Sequence, residues 1–296
     1  MKEASKIPVE VEAFNNRFRQ IVKNQIFLET LATGFRFLEG PVWIEDQNRL
    51  IFSDIPGNAL YSWDENKGIS LLRPNSYLAN GNAYDKDGIL ITCEHGTSRV
   101  SATDLRSGTY TVLADSYNGR CLNSPNDVVL KSDKNIYFTD PMPGRFPRVG
   151  IPRPPELSFQ GVYMYDRRNA FLYLLEDGLQ LPNGLCFSPD EKILYVNDSA
   201  QGIIFAFDVG TKGMLENKRI FSSPQGSGDG VLDGMKCTSR GTIFCTGPGG
   251  IFIIDEDGDC LGRINIPEVA ANFTWGEDER TLYITATSTV YRMKIR

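Results

Sequence analysis

The chain has 296 residues, a formal net charge of −6 and 41% hydrophobic residues. A chain of that sign offers no electrostatic attraction to nucleic acid or to an anionic membrane, and no apolar run reaches membrane-spanning length. The N-terminal stretch MKEASKIPVEVEAF has no hydrophobic export signal, so a cytoplasmic protein is expected. The six cysteines (Cys93, Cys121, Cys186, Cys237, Cys245 and Cys260) lie mostly in strand-like patterns. They read as reduced and buried small hydrophobes, with one disulfide as the alternative.

Residues 1–24 read as a polar arm followed by a short amphipathic helix, because Val11, Phe14, Phe18 and Ile21 or Val22 recur at helical spacing. Residues 25–33 (NQIFLETLA) read as a strand without a local partner. A repeat then begins. Six copies open at Glu39, Asn80, Asn126, Asn183, Asp233 and Ala271, which are 41, 46, 57, 50 and 38 residues apart. Each has a large or apolar residue four places on, a turn rich in Asp, Gly and Glu, and a second apolar run, which is the pattern of a hairpin. The distance from opening residue to the end of the second run is 14 or 15 residues, ending at Asp54, Glu94, Asp140, Asp198, Gly247 and Ala286.

Strand-turn-strand units with periods near 40–50 indicate a propeller. The fold expected is all-β: a six-bladed β-propeller with four-stranded blades, forming a single domain over residues 1–296. The last copy supplies a third strand at 288–296 and then the chain stops, so the N-terminal strand should become the fourth strand of the last blade and close the ring. Deviating from this rhythm, residues 141–160 (PMPGRFPRVGIPRPPELSFQ) are too long for a hairpin loop and rich in proline. They are expected to form a lid over the face where the repeats open.

In a propeller the innermost strands surround the axis, which gathers their opening residues into a ring at one mouth of the channel. Five of the six (Glu39, Asn80, Asn126, Asn183 and Asp233) carry side-chain oxygen. Turn chemistry accounts for Asn-Gly and Asp-Gly pairs but not for Glu39. Carboxylates and amide oxygens converging on one point call for a hard cation, and Ca²⁺ suits oxygen ligation. Asp54, Glu94, Asp140 and Asp198 should lie outside that ring, orienting ligands or bonding backbone. His95 is the only histidine and no GxSxG elbow is present, which argues against a nucleophilic triad.

The blocks RFRQIV, LEGPVW, LNSPNDVVLKSDKNIYFTDP, LSFQGVY, LPNGLCFSPDEKILYVND, LDGMK and TLYITATSTVYRM resemble bacterial gluconolactonases of the gluconolactonase/regucalcin superfamily over nearly the whole chain. The resemblance implies a six-bladed propeller with one axial divalent metal, usually Ca²⁺, with Zn²⁺, Mg²⁺ or Mn²⁺ as alternatives. It also implies hydrolysis of sugar lactones such as glucono-1,5-lactone. By the same resemblance Glu39, Asn126, Asn183 and Asp233 hold the metal. Asp233 is then the expected catalytic base, while Asn80, His95, Asp127 and Phe146 are expected to touch substrate. One departure is Ser124, which stands where regucalcin-like sequences carry a substrate-binding arginine. The alternatives are a phosphotriesterase-type hydrolase and a calcium-stabilised binding propeller. A monomer or a homodimer is expected, with a small-molecule sugar lactone as partner and neither nucleic acid nor membrane.

Overall fold

The computed structural model describes residues 6–23, 25–276 and 278–296. Six antiparallel sheets, each ordered first to fourth strand, surround an axis. Their innermost strands are Leu38–Ile44, Ala79–Tyr84, Val128–Leu130, Pro182–Phe187, Met235–Cys237 and Ala270–Trp275. Each contacts the innermost strands of both neighbouring blades, including the last against the first, so the ring is closed. The second strands end at Asp54, Glu94, Asp140, Asp198, Gly247 and Ala286, the ends given by the repeat.

The core is divided among the blade interfaces. Leu38, Phe52 and Val290 join blade six to blade one, and Ile51, Leu60 and Leu90 join blade one to blade two. Further clusters lie between blades two and three around Phe138, three and four around Phe207, four and five around Met235, and five and six around Phe273. Sheets that bury both faces against neighbours place apolar side chains on both, which is why their inner strands read as nearly continuous hydrophobic runs.

The strand Ile26–Thr33 pairs antiparallel with Thr289–Lys294 as the fourth strand of blade six. The segment before it departs from the helical reading. Lys6–Val9 adds a fifth strand to blade six, and Val11–Ala13 adds one to blade five by pairing with Ile264, Arg263 and Gly262. Among the described residues of this segment only Phe18–Ile21 is helical, with Phe18 fully buried between blades five and six. A helix this short is marginal in water, and the free edge of blade five offers Val11–Ala13 a complete set of backbone partners instead. Deleting residues 1–33 should therefore expose the Thr289–Lys294 edge, remove Phe18, Ile26 and Leu28 from the core, and give an aggregating product. A soluble truncation with a cooperative melting transition would overturn this.

All six cysteines are free; Cys93, Cys186 and Cys245 are buried, whereas Cys121 is exposed. Among the described residues no helix is long and apolar enough to cross a membrane.

Candidate metal centre and active site

The ring residues reach the axis because the innermost strands leave the ladder there. Pairing between first and second strands shifts register between Glu39 and Val42, Ala79 and Asn82, Pro182 and Leu185, and Ala270 and Asn272. In blades three and five the strand begins only after Asn126 and Asp233. A bulge re-aims a side chain, and here each turns one toward the channel.

The glycines that follow are required by close approach rather than by turns. A Cβ on Gly184 would lie 2.0 Å from the Asp233 carbonyl oxygen, and one on Gly40, at φ +52°, 2.0 Å from that of Asn80. Carbonyls of the ring positions are gripped by the preceding blade: Ser53 Oγ donates to Asn80 O at 2.6 Å, Thr139 Oγ1 to Asn183 O at 2.8 Å, and Thr246 Oγ1 to Ala271 O at 2.9 Å.

Glu39, Asn80, Asn126, Asn183 and Asp233 all line one cavity of about 530 Å³ at the mouth, together with His95. Glu39, Asn80, Asn126 and Asn183 are buried, and Asp233 is half-buried. The amides are oriented from outside: Asn183 Nδ2 donates to Ser199 Oγ at 3.1 Å, and Asn80 Nδ2 lies 3.0 Å from His95 Nε2. Asn80 Oδ1 and Asn183 Oδ1 are left buried without partners. The orphaned oxygen of Asn183, beside two carboxylates in the same cavity, is what a bound cation would satisfy, and the donors are all oxygen. The residues present therefore fit a hard divalent ion.

Electrostatics agree. Burial, then repulsion from Asp127, raises the Glu39 carboxyl from its ordinary 4.5 to about 7, although Gly40 N–H and Asn272 Nδ2 donate to its Oε2 at 2.7 and 3.1 Å. Asp233 is raised well above the ordinary range, first by burial and then by Glu39 and Asp127. Between pH 4.5 and about 7 the folded metal-free chain thus holds a proton on Glu39 that the unfolded chain has released. Asp140, raised by burial from 3.8 to about 7, acts in the same direction, and together with Glu39 it outweighs His95, whose pKa burial lowers from 6.5 to about 4 and which alone would make stability rise with pH. Binding more protons folded than unfolded means that stability falls as pH rises across that window. Chelator-treated protein should melt at lower temperature at pH 7.5 than at pH 4.5, and added Ca²⁺ should reverse the trend.

The outer carboxylates bond backbone. Asp54 accepts from the N–H groups of Arg36, Phe37 and Gly57, Asp140 from Asn123 and Ser124, and Asp198 from Gln180 and Leu181, in each case fastening the segment that leads into the blade's first strand. Glu94 differs, facing Arg99, Ser101 and Tyr110 inside blade two and Arg73 of blade one.

Two residues assigned to substrate do not line the cavity. Phe146 is 54% exposed. Asp127 is buried 3.9 Å from Lys236 Nζ, its Oδ1 accepting the Val128 N–H. Lys236 belongs to blade five, so Asp127 also faces the channel, but outside the cavity that neighbouring Asn126 lines. Other contributors escaped the sequence reading. Asn272, one place after Ala271, supplies the contact to Glu39 that Ala271 cannot, and Ser199 orients Asn183. Arg148 of the 141–160 loop also lines the mouth, its guanidinium 5.9 Å over the Phe37 ring. The Asn-Gly pattern breaking to Ala-Asn at 271–272 was the available signal for the first.

That loop is pinned over the mouth. Arg145 donates to the carbonyls of Asn123 and Leu122, and Ser124 Oγ donates to Pro141 O and accepts from Gly144 N–H. Ser124 thus anchors the covering loop.

Residues 37–288 match the SMP-30/Gluconolactonase/LRE-like region. A gluconolactonase of Zymomonas mobilis is 32% identical over an alignment covering 97% of this chain and 86% of the relative. A pentonolactonase of Haloferax volcanii is 26% identical, covering 86% and 82%. The solved structure of a Xanthomonas campestris gluconolactonase superposes with a TM-score of 0.91 at 32% identity, covering 100% of this chain and 99% of that one. With a match of that extent, on a closed six-bladed ring with an oxygen-lined mouth, the chain belongs to the SMP-30/gluconolactonase family.

Proposed function

We propose that the chain is a metal-dependent lactonase that opens sugar lactones such as glucono-1,5-lactone to the aldonic acid. The observation that carries this reading is the buried, unpartnered amide oxygen of Asn183 beside Glu39 and Asp233 in one cavity. The lactonases among its relatives support the substrate class. Glu39, Asn126, Asn183 and Asp233 would hold a divalent ion, for which Ca²⁺ is the best match to an all-oxygen set. Bound there, such an ion supplies Lewis-acid polarisation of the lactone carbonyl.

The chain's own residues do the rest. Asp233 takes a proton from the attacking water; the water oxygen bonds to the carbonyl carbon, the ring C–O bond breaks, and the proton ends on the released hydroxyl. Phe37, Ile55, Leu181 and Val269 line the mouth and limit water access around the reacting centre. The loop 141–160 covers the site, and shortening it to a four-residue turn should raise KM or broaden the lactones accepted, with calcium affinity nearly unchanged. Unchanged kinetics across several lactones would make it a packing flap.

The function is tested by pH-stat rates on a panel of sugar lactones, corrected for spontaneous opening. Turnover should be abolished by chelator and restored by Ca²⁺. Chelator-insensitive turnover, or none above the spontaneous rate, would refute the reading.

A further inference from the structure

The covering loop reaches the axial ring through one imidazole. His95 is the chain's sole histidine and is buried. Its Nδ1 lies 3.0 Å from the Val149 carbonyl oxygen in the loop, and since a carbonyl can only accept, Nδ1 carries the hydrogen. Burial lowers the pKa of the ring to about 4, so the ring is neutral at pH 7 and Nε2 is a bare acceptor. The partner of Nε2, 3.0 Å away, is Asn80 Nδ2. That fixes the polarity of Asn80. Its NH₂ is spent on the imidazole, and Oδ1 is left buried and unpartnered in the cavity wall. The opposite amide flip would set Oδ1 against Nε2, two acceptors face to face.

The loop side of this chain of contacts is equally constrained. Gly144 packs on the imidazole so closely that a Cβ there would lie 2.5 Å from His95 Cγ and 2.5 Å from Ser124 Cβ. Arg153 Nη2 donates to the His95 carbonyl and to Ser98 Oγ.

We propose that His95 is a positioning residue through which the covering loop holds Asn80 Oδ1 inward as the acceptor for a hydroxyl of the sugar lactone. Asn80 stands outside the four residues assigned to the ion, so its oxygen is available to substrate. An acceptor fixed at that place favours lactones that carry hydroxyl donors over those without. The identity of the ligand rests on the function proposed above; the hydrogen-bond polarity does not.

The test uses full-length calcium-loaded protein with ¹⁵N-labelled histidine, in which one imidazole gives the whole signal. At pH 7 a two-bond ¹H–¹⁵N spectrum should show the neutral Nδ1–H tautomer. The Nε2–H tautomer or an imidazolium overturns the proposal. In kinetics with glucono-1,5-lactone, Asn80→Ala and His95→Phe should each raise KM about three- to tenfold, the worth of one hydrogen bond, with kcat less affected. The double variant should match Asn80→Ala alone, and with δ-valerolactone, which has no hydroxyls, neither change should move KM. Multiplicative losses, or equal losses on both lactones, mean a structural role and overturn it. Should His95→Phe fail to fold, the tautomer and Asn80→Ala decide. A parent without turnover refutes the proposed function, and the tautomer then decides the positioning claim alone.

Discussion

Asp233→Asn is expected to reduce lactone turnover by at least about 10²-fold at saturating calcium, within the about 10²- to 10⁴-fold that a positioned acid or base contributes. The side chain is isosteric and stays in the same cavity, beside Asn183, so the substrate pocket keeps its shape. What disappears is the proton acceptor. Initial rates at calcium concentrations raised until the rate plateaus separate this from loss of the ion. A variant that recovers parental kcat at high calcium would show that Asp233 serves the ion alone and that another group takes the proton.

Glu39→Gln should have the larger effect on the ion. The carboxylate is buried, and its Oε2 is held by the Gly40 N–H and Asn272 Nδ2, so its placement survives the change while one formal charge is lost. Because charge count tunes calcium affinity over orders of magnitude, affinity should fall by about 100-fold or more. At a free calcium concentration 100 times its Kd the parent gains about 2.7 kcal/mol of stability by mass action, and the variant at the same concentration should lose most of that thermal shift. A melting-temperature series in calcium for both proteins checks it.

Much of this was legible in the sequence because the repeat is a backbone device. Second strands had to end where their polar residues begin, and Asp54, Asp140 and Asp198 do terminate them, each fastening the segment ahead of its blade. The convergence of Glu39, Asn80, Asn126, Asn183 and Asp233 followed from the same periodicity. Bulges were not legible in detail. They decide which of two neighbours reaches the cavity or its carboxylates, so the repeat alone separates neither Asn126 from Asp127 nor Ala271 from Asn272. The glycines after Glu39, Asn80, Asn183 and Asp233 carried that information as close-approach positions, although alone they also suit turns. Tertiary competition explains the N-terminal arm: helical spacing from Val11 onward gave way to an unpaired sheet edge that local sequence does not reveal. Only the fold of the covering loop shows that Pro143, Arg148 and Val149, rather than Phe146, face the cavity.

The most direct test of the account is an isothermal calorimetric titration of chelator-stripped protein with Ca²⁺, run on the parent and on Glu39→Gln. The account predicts one ion bound per parent chain and binding weakened by about 100-fold or more in the variant. A parent that binds no divalent ion, or a variant that binds as tightly as the parent, would reduce the ring to packing and turn chemistry and contradict the metal-dependent mechanism.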